Sequence, residues 1–375
     1  MAATWSLVAL SALSLAIFVY PYLIYPQVLR LLSKKPVNLK QVELSASILF
    51  CAYNEIASLP EKIENLRQLK GARRDLQILA YDDSSSDGTY ELMASASDVL
   101  TVVRGPGRTG KAAGMKRLAG QARGDILIFT DANILLSIDV IDRLLPYYGD
   151  PEVGGAACTI KSIRDAASMT SRVGAGYVAL DDRLQQLESS TGNVMGATGG
   201  LFSVRRELYP DFPDSVQDDF TVSMSVIFQG RRLVKAVDVV GFERSVSQRG
   251  EELRRKVRIG ARAYHTHTFL RPGIRNMQAR DRMKYVSRKM LRWFGGVFLT
   301  LSAVFAFAAV ATISASAGLL LILAACAAVA VGVRMDSGPI AAMAEMALAT
   351  YATLIGVLRA MRGQTVVTWA PAKSR

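Results

Sequence analysis

Histidine is nearly missing from this chain: 375 residues contain only His265 and His267. Two neighbouring histidines cannot supply a Ser/His/Asp or Cys/His nucleophile set, and no matching ligands elsewhere make them a metal site. They are expected to pack or to lie at an interface. Cysteine is also scarce. Cys51, Cys158 and Cys326 show neither metal spacing nor an even disulfide framework, so they read as small buried hydrophobes in a reducing compartment. There is no internal repeat and no low-complexity linker. The first apolar stretch has no basic segment before it and no small-residue cleavage site, which predicts an anchor rather than a removable signal.

What the chain does have is apolar length. Half of its residues are hydrophobic and mean hydropathy is +0.22, enough for a large core and for segments in lipid. Residues 5–32 form one such segment, and residues 1–33 are expected to be an N-terminal membrane anchor, kinked at Pro21 and Pro26. Residues 294–333 exceed one span of about 20 residues. The Ser314-Ala315-Ser316-Ala317-Gly318 run divides them into two helices. Residues 340–358, which carry Glu345, form a third C-terminal candidate, spanning or re-entrant, before a basic tail at 359–375. Arg30, Lys34 and Lys35 follow the first segment, so the positive-inside rule places the next domain in the cytoplasm. The expected protein is a multi-pass protein of the cell (inner) membrane. A crossing by the third candidate would put the tail's Arg359, Arg362, Lys373 and Arg375 outside, against that rule.

Positive charge is concentrated. Residues 244–292 hold 15 Lys or Arg against 3 acids, nearly all of the chain's net +13. Beside an apolar region such a block favours anionic headgroups and phosphorylated ligands over nucleic acid. Within it, residues 271–293 interleave bases with Met283, Val286, Met290 and Trp293 at helical spacing. That pattern predicts an in-plane helix, basic towards headgroups and apolar towards acyl chains, with packing on the catalytic domain as the competing reading.

Roughly 230 residues between the apolar regions fit one α/β domain, bounded at 44–270. Strands are expected at 47–51, 76–81, 99–103, 126–130 and 201–204. Helices are expected at 56–69, from an Asp87 cap to 96, and at 111–122, 177–189 and 220–228. Strands alternating with helices predict parallel βαβ units with ligands at the strands' carboxyl ends.

Three acidic clusters fall where a predicted strand or loop ends. Asp82-Asp83, before Ser84-Ser85-Ser86-Asp87-Gly88-Thr89, can accept hydrogen bonds from a base or ribose; a solvated turn competes. Asp131 and Asn133, two apart after an apolar strand, point the same way on an extended backbone and can share an oxygen-ligated cation; a helix cap competes. Asp218-Asp219 lies on a loop entering a helix, one acid as cap and the other as general base, or both as caps only. Arg254, Arg255 and Arg258 present a basic face able to clamp a diphosphate, or a solvated one. Gly105-Pro106-Gly107-Arg108-Thr109-Gly110-Lys111-Ala112 nearly matches a phosphate-binding P-loop but fails at Ala112, where a hydroxyl must reach magnesium.

Together these residues resemble membrane-bound members of glycosyltransferase family 2, related to cellulose, chitin and hyaluronan synthases, over roughly residues 45–270. Ala52-Tyr53-Asn54-Glu55 resembles the first nucleotide motif, Asp82-Asp83 its uracil- and ribose-holding turn, and Gly110-Lys111 its Gly-Lys segment. Asp131-Ala132-Asn133 stands where the family has Asp-x-Asp, with Asn133 replacing the second acid. Gly196-Ala197-Thr198-Gly199-Gly200 resembles the acceptor-side glycines, and Gln217-Asp218-Asp219 the Glu-Asp pair whose second acid is the base. The Gln-x-x-Arg-Trp of processive synthases is read as absent, with residues 254–258 nearest its place.

The resemblance implies a GT-A fold between N- and C-terminal transmembrane helices. It implies an inverting, metal-dependent hexosyltransferase moving sugar from a nucleotide diphosphate to a hydroxyl of a saccharide or lipid-linked acceptor. Tyr53, Glu55, Asp82, Asp83 and Lys111 would bind donor, and Asp131 and Asn133 would hold Mg2+ or Mn2+. Arg254, Arg255 and Arg258 would meet the diphosphate, Gly199 and Gly200 the acceptor, and Asp219 with Asp218 would be catalytic. A polyprenyl-phosphate sugar synthase, a P-loop-like NTPase and a non-catalytic membrane partner stay open as alternatives.

Overall fold

A computed structural model describes residues 1–163, 169–243, 249–335 and 337–364. Most of the expected tail, residues 365–375, lies outside them. The chain starts with helix α1 (Ala2–Leu31), followed by β1 (Ala46–Ala52), α2 (Leu59–Ala72), β2 (Gln77–Asp82), α3 (Thr89–Ser95), β3 (Thr101–Arg104), α4 (Lys111–Gln121) and β4 (Ile126–Asp131). Then come β5 (Leu135–Leu136), α5 (Val140–Leu144), β6 (Val153–Ser162), α6 (Met169–Ser189), β7 (Leu201–Arg205), α7 (Asp218–Phe228), β8 (Arg232–Glu243) and α8 (Arg249–Asn276).

Eight strands form one sheet in the order β3-β2-β1-β4-β7-β6-β8-β5. The first four are mutually parallel, and β7 runs antiparallel to both β4 and β6. Every residue of β1 is buried because both faces are covered, as in parallel sheets. Ile48 and Phe50 meet α2 through Leu59, Ile63 and Leu66. Leu49 and Cys51 face the opposite layer, where Met115 and Leu118 of α4 and Val222 and Met224 of α7 lie.

The five expected strands are all present. Helix α2 starts three residues later than expected, because Asn54 adopts φ +52 and the chain turns before Pro60 enters the first helical turn. Asp87 does not cap α3. Gly88 holds that position at φ +93, and Asp87 instead accepts from Thr89 N at 3.0 Å. Strands β5, β6 and β8 were not foreseen.

Beyond the sheet lie α9 (Ala279–Tyr285), a π-helical turn (Val286–Met290), α10 (Leu291–Trp293), α11 (Gly295–Ala311), α12 (Ala315–Arg334) and α13 (Pro339–Met361). Among the described residues, α1, α12 and α13 are each long and apolar enough to cross a membrane. The shorter α11 reaches that length only together with residues 279–293, from which it is bent by 63°. The expected division of 294–333 falls at 312–314, where Ser314 caps α12 by accepting from Ala317 N at 3.3 Å. In the membrane region Ser11 Oγ donates to the Ser302 carbonyl at 2.9 Å, joining α1 to α11.

The in-plane helix expected at 271–293 is corrected. Helix α8 runs on to Asn276, and the remainder turns Lys284, Arg288 and Arg292 inward while Arg280 and Arg282 stay exposed. Arg288 is 3% exposed and bonds Glu188 at 2.6 Å and Asp181 at 2.8 Å, while Arg292 bonds Asp181 at 2.8 Å. Acids on α6, which residues 279–293 cannot reveal, draw these bases away from headgroups.

Candidate active site

Register aligns the carboxyl ends of three parallel strands: Ala52 pairs with Asp82, and Cys51 with Asp131. Ligands of open α/β sheets gather at this edge. Just beyond β1, Asn54 N donates to Ser85 Oγ at 3.0 Å, and Ser86 N donates to Asn54 Oδ1 at 2.9 Å. Glu55 N donates to Thr89 Oγ1 at 2.9 Å and the Glu55 carboxylate accepts from Ser58 Oγ at 2.9 Å. The first two expected motifs are therefore laced into one turn cluster.

Asp82 and Asp83 are fully buried. Asp82 accepts from Ser85 N at 3.2 Å and lies 3.8 Å from Arg104 Nε. Asp83 accepts from Thr109 N at 2.7 Å and from Gly110 N at 3.1 Å. Arg108 reaches Asp83 at 3.4 Å and stacks its guanidinium over the Tyr53 ring, 3.1 Å from the centroid. The expected turn is thus tied to the loop before α4. Gly110, at φ +89, gives that loop a backbone geometry that a side chain resists.

The same loop delivers Lys111 as the first residue of α4. Its ammonium lies 2.6 Å from Asp131 Oδ1 and 3.9 Å from Asp218 Oδ2. Burial opposes the Lys111 charge, but Asp131, Asp218 and Asp219 outweigh it and hold the ammonium protonated well above its ordinary range. Asn133 stands outside β4. The backbone leaves the strand at 132–133, with Ile134 N donating to the Asp131 carbonyl at 3.2 Å, so the two-residue alternation no longer applies. The Asn133 amide donates instead to Glu243 at 3.3 Å.

Asp218 and Asp219 open the first turn of α7 rather than the loop before it, and Gln217 takes the cap position. Asp219 Oδ1 accepts from Phe220 N at 2.8 Å. Burial, then the neighbouring Asp218, push the Asp219 carboxyl up to about 6, with Lys111 offsetting part of the rise. Gly199 faces this acid: a Cβ there would sit 2.6 Å from Asp219 Oδ2. Gly200 packs on Ile160 and Ile134 instead.

Helix α8 supports α7. Arg262 donates to the Val216 carbonyl at 3.3 Å, Gln217 N donates to Thr266 Oγ1 at 2.8 Å, and His265 pairs with Ser215 at 3.2 Å. Arg254 and Arg258 share the helical face of Arg262, whose charge acts on Asp219. Arg255 pairs with Glu252 at 3.5 Å. His267 packs as expected, bonded to the Tyr285 hydroxyl at 2.8 Å and 5.6 Å from the Trp293 ring.

Sequence reasoning gave Trp293 to the in-plane helix and missed where Lys289 and Trp293 lie relative to α7. Trp293 meets the Phe220 ring edge-on at 6.5 Å, and Lys289 lies 5.0 Å over that ring, immediately after Asp219. Their spacing, Lys289-x-x-Arg292-Trp293, is Gln-x-x-Arg-Trp with lysine for glutamine. That substitution at the first position hid the signal.

Among the described residues no three His, Cys, Asp or Glu side chains gather as a cation site. Asp131 and Asp218 nonetheless suit a hard divalent ion completed by phosphate oxygens and water. Asp218 Oδ2, buried without a hydrogen-bond partner, is a ready ligand atom.

The family model for glycosyl transferase family 2 matches residues 47–212. Over those residues the chain is similar to glycosyltransferase family 2. The match covers β1 to the segment before α7 and so includes Asp82, Asp83 and Asp131 but not Asp218 and Asp219. A beta-monoglucosyldiacylglycerol synthase from Synechocystis is 28% identical over 169 residues, 43% of this chain and 35% of that protein. One from Trichormus variabilis is 26% identical over 167 residues, 43% of this chain and 36% of its own. This chain spans about a third of the length of these relatives. The structure of mannosyltransferase PcManGT from Pyrobaculum calidifontis, in complex with GDP-Man and Mn2+, superposes with a TM-score of 0.73 at 22% identity. That match covers 94% of this chain and 99% of that one. It shows a GT-A fold here, flanked by apolar helices at both ends.

Proposed function

We propose that this chain is an inverting glycosyltransferase that moves a sugar from a nucleotide diphosphate to a hydroxyl of a lipid or lipid-linked acceptor at the cytoplasmic membrane face. The observation that carries the reading is the convergence of Asp131, Lys111, Asp218, Asp219 and Gly199 at the strand-end edge. The turn built by Tyr53, Glu55, Asp82 and Asp83 seats the nucleoside, and Lys111 meets the donor phosphates. Asp131 and Asp218 would hold Mg2+ or Mn2+, with Asn133 in the adjoining turn. The bound ion supplies positive charge against the departing diphosphate. Arg262, with Arg254 and Arg258 on its face, adds charge on the α8 side.

Asp219 takes the acceptor proton. A carboxylate lifted to about 6 is a stronger base than an ordinary one and is still ionised at neutral pH. Gly199 leaves room for the hydroxyl beside that oxygen, so the attacking atom and the base are aligned before reaction. Relatives named for making a glucosyldiacylglycerol support a lipid acceptor, as do the apolar helices next to the domain. Lys34 and Lys35 after α1 support a cytoplasmic domain. Donor, acceptor and membrane lipids are the partners in this reading; nucleic acid is not.

Asp219→Asn tests it. Turnover of labelled sugar nucleotide should drop at least about a thousandfold, while calorimetric donor affinity stays within about threefold. Turnover at the wild-type rate would remove Asp219 from the mechanism.

A further inference from the structure

Lys111 occupies a position that its assignment as a donor-phosphate ligand does not explain. Its ammonium sits between carboxylates from two separate elements, Asp131 at the tip of β4 and Asp218 in the first turn of α7. Asp218 is 3% exposed, its Oδ2 accepts no hydrogen bond, and the ammonium at 3.9 Å is the charge it faces. Oxygen atoms arranged around a centre with one lone pair unused are what a hard divalent ion takes. The loop before Lys111 is fixed, since Asp83 holds Thr109 N and Gly110 N. The four-carbon lysine stem is not, so the ammonium can leave while α4 stays in place.

We propose that Lys111 is a stand-in cation, occupying the divalent-ion position between Asp131 and Asp218 whenever no ion is bound. The ion and the ammonium compete for the same oxygens. Free protein therefore binds Mn2+ weakly, and a nucleoside diphosphate tightens binding by giving the displaced ammonium a new anionic partner. Lys111 is thus a positioning residue that couples ion and donor binding and balances the neighbouring carboxylates between turnovers. The last step rests on the proposed donor site; the competition itself does not.

The full chain in detergent is titrated with Mn2+ alone, without nucleotide, and free Mn2+ is read by its electron paramagnetic resonance signal. Lys111→Met should bind Mn2+ about tenfold or more tightly than wild type. Lys111→Arg, which keeps the charge, should not. Adding Asp131→Asn to Lys111→Met should return affinity to the wild-type level or below. If Lys111→Met loses its cooperative thermal transition, Lys111→Gln replaces it, keeping a donor to Asp131 without the charge. Unchanged Mn2+ affinity in a folded neutral variant overturns the proposal, and so does a gain that survives Asp131→Asn. Because the readout is Mn2+ alone, it stands or falls separately from any sugar-nucleotide turnover.

Discussion

In the proposed reaction Asp219 concentrates the chemistry of the site in one carboxyl. Its proton is held from the ordinary 3.8 up to about 6 in the folded protein. Between those values the folded state keeps a proton that the unfolded state loses, so ionising Asp219 costs stability as pH rises through that window. The basicity it provides is available only above about 6. A pH profile of kcat/KM should accordingly show an acid limb near pH 6, with rate falling as pH drops, and a profile flat from pH 5 to 7 would remove the raised carboxyl from the rate equation. Gly199→Ala is a finer probe, because its Cβ would fall 2.6 Å from Asp219 Oδ2 and push the base aside. A displacement of that size should lower kcat by about a hundredfold with donor affinity kept, measured by steady-state kinetics beside calorimetry. At this scale much of the site was legible, because an acid at the end of an apolar strand is a short-range pattern. Asn133 was misread for a physical reason: the alternation rule holds only while the backbone stays extended, and the strand stops at Asp131. The contacts of Lys289 and Trp293 went unseen because what they touch, the Phe220 ring, lies about seventy residues away in sequence.

Elements that look alike in sequence can face opposite ways. Residues 279–293 interleave bases and apolar side chains, which suits a bilayer surface and a buried acidic helix equally well. The decision rests on Asp181 and Glu188 of α6, with Arg288 2% exposed at its side chain between them. Tyr25 of α1 donates to the same Glu188 at 2.6 Å, so the first membrane helix is tied into this seam. Arg288→Ala would leave two enclosed acids without their shared cation and should destabilise the protein by about 3–5 kcal/mol. Thermal unfolding in detergent should register this as a clear fall in Tm; an unchanged Tm would mean that the seam bears little of the fold's stability. Strands β6 and β8 escaped notice for a related reason. They pair with each other across some eighty residues, and their glycines and charges interrupt the apolar alternation that marks β1 and β4.

Across the whole molecule the apolar helices pack against elements that carry the site. Helix α13 lies against α8 where glycines let the backbones meet: a Cβ on Gly356 would collide with the Val257 carbonyl, and one on Gly260 would come within 2.7 Å of the Thr353 carbonyl. The next turn of α8 carries Arg262 and Thr266, which hold the chain leading into Asp218 and Asp219. Gly356→Leu, far from the carboxylates, should therefore force α13 off α8 and lower kcat about tenfold or more while leaving the nucleotide turn intact. Equal kcat with unchanged thermal stability would uncouple the two. The central claim is that these parts transfer a sugar with inversion to a membrane-borne hydroxyl. Its most direct test supplies the purified protein in lipid nanodiscs with a panel of radiolabelled sugar nucleotides, Mn2+ and lipid acceptors, and determines the anomeric configuration of the product by NMR. The account predicts one or more α-linked donors yielding a β-linked, lipid-extractable glycoside, lost in Asp219→Asn; retained configuration in the product, or transfer that survives Asp219→Asn, would contradict it.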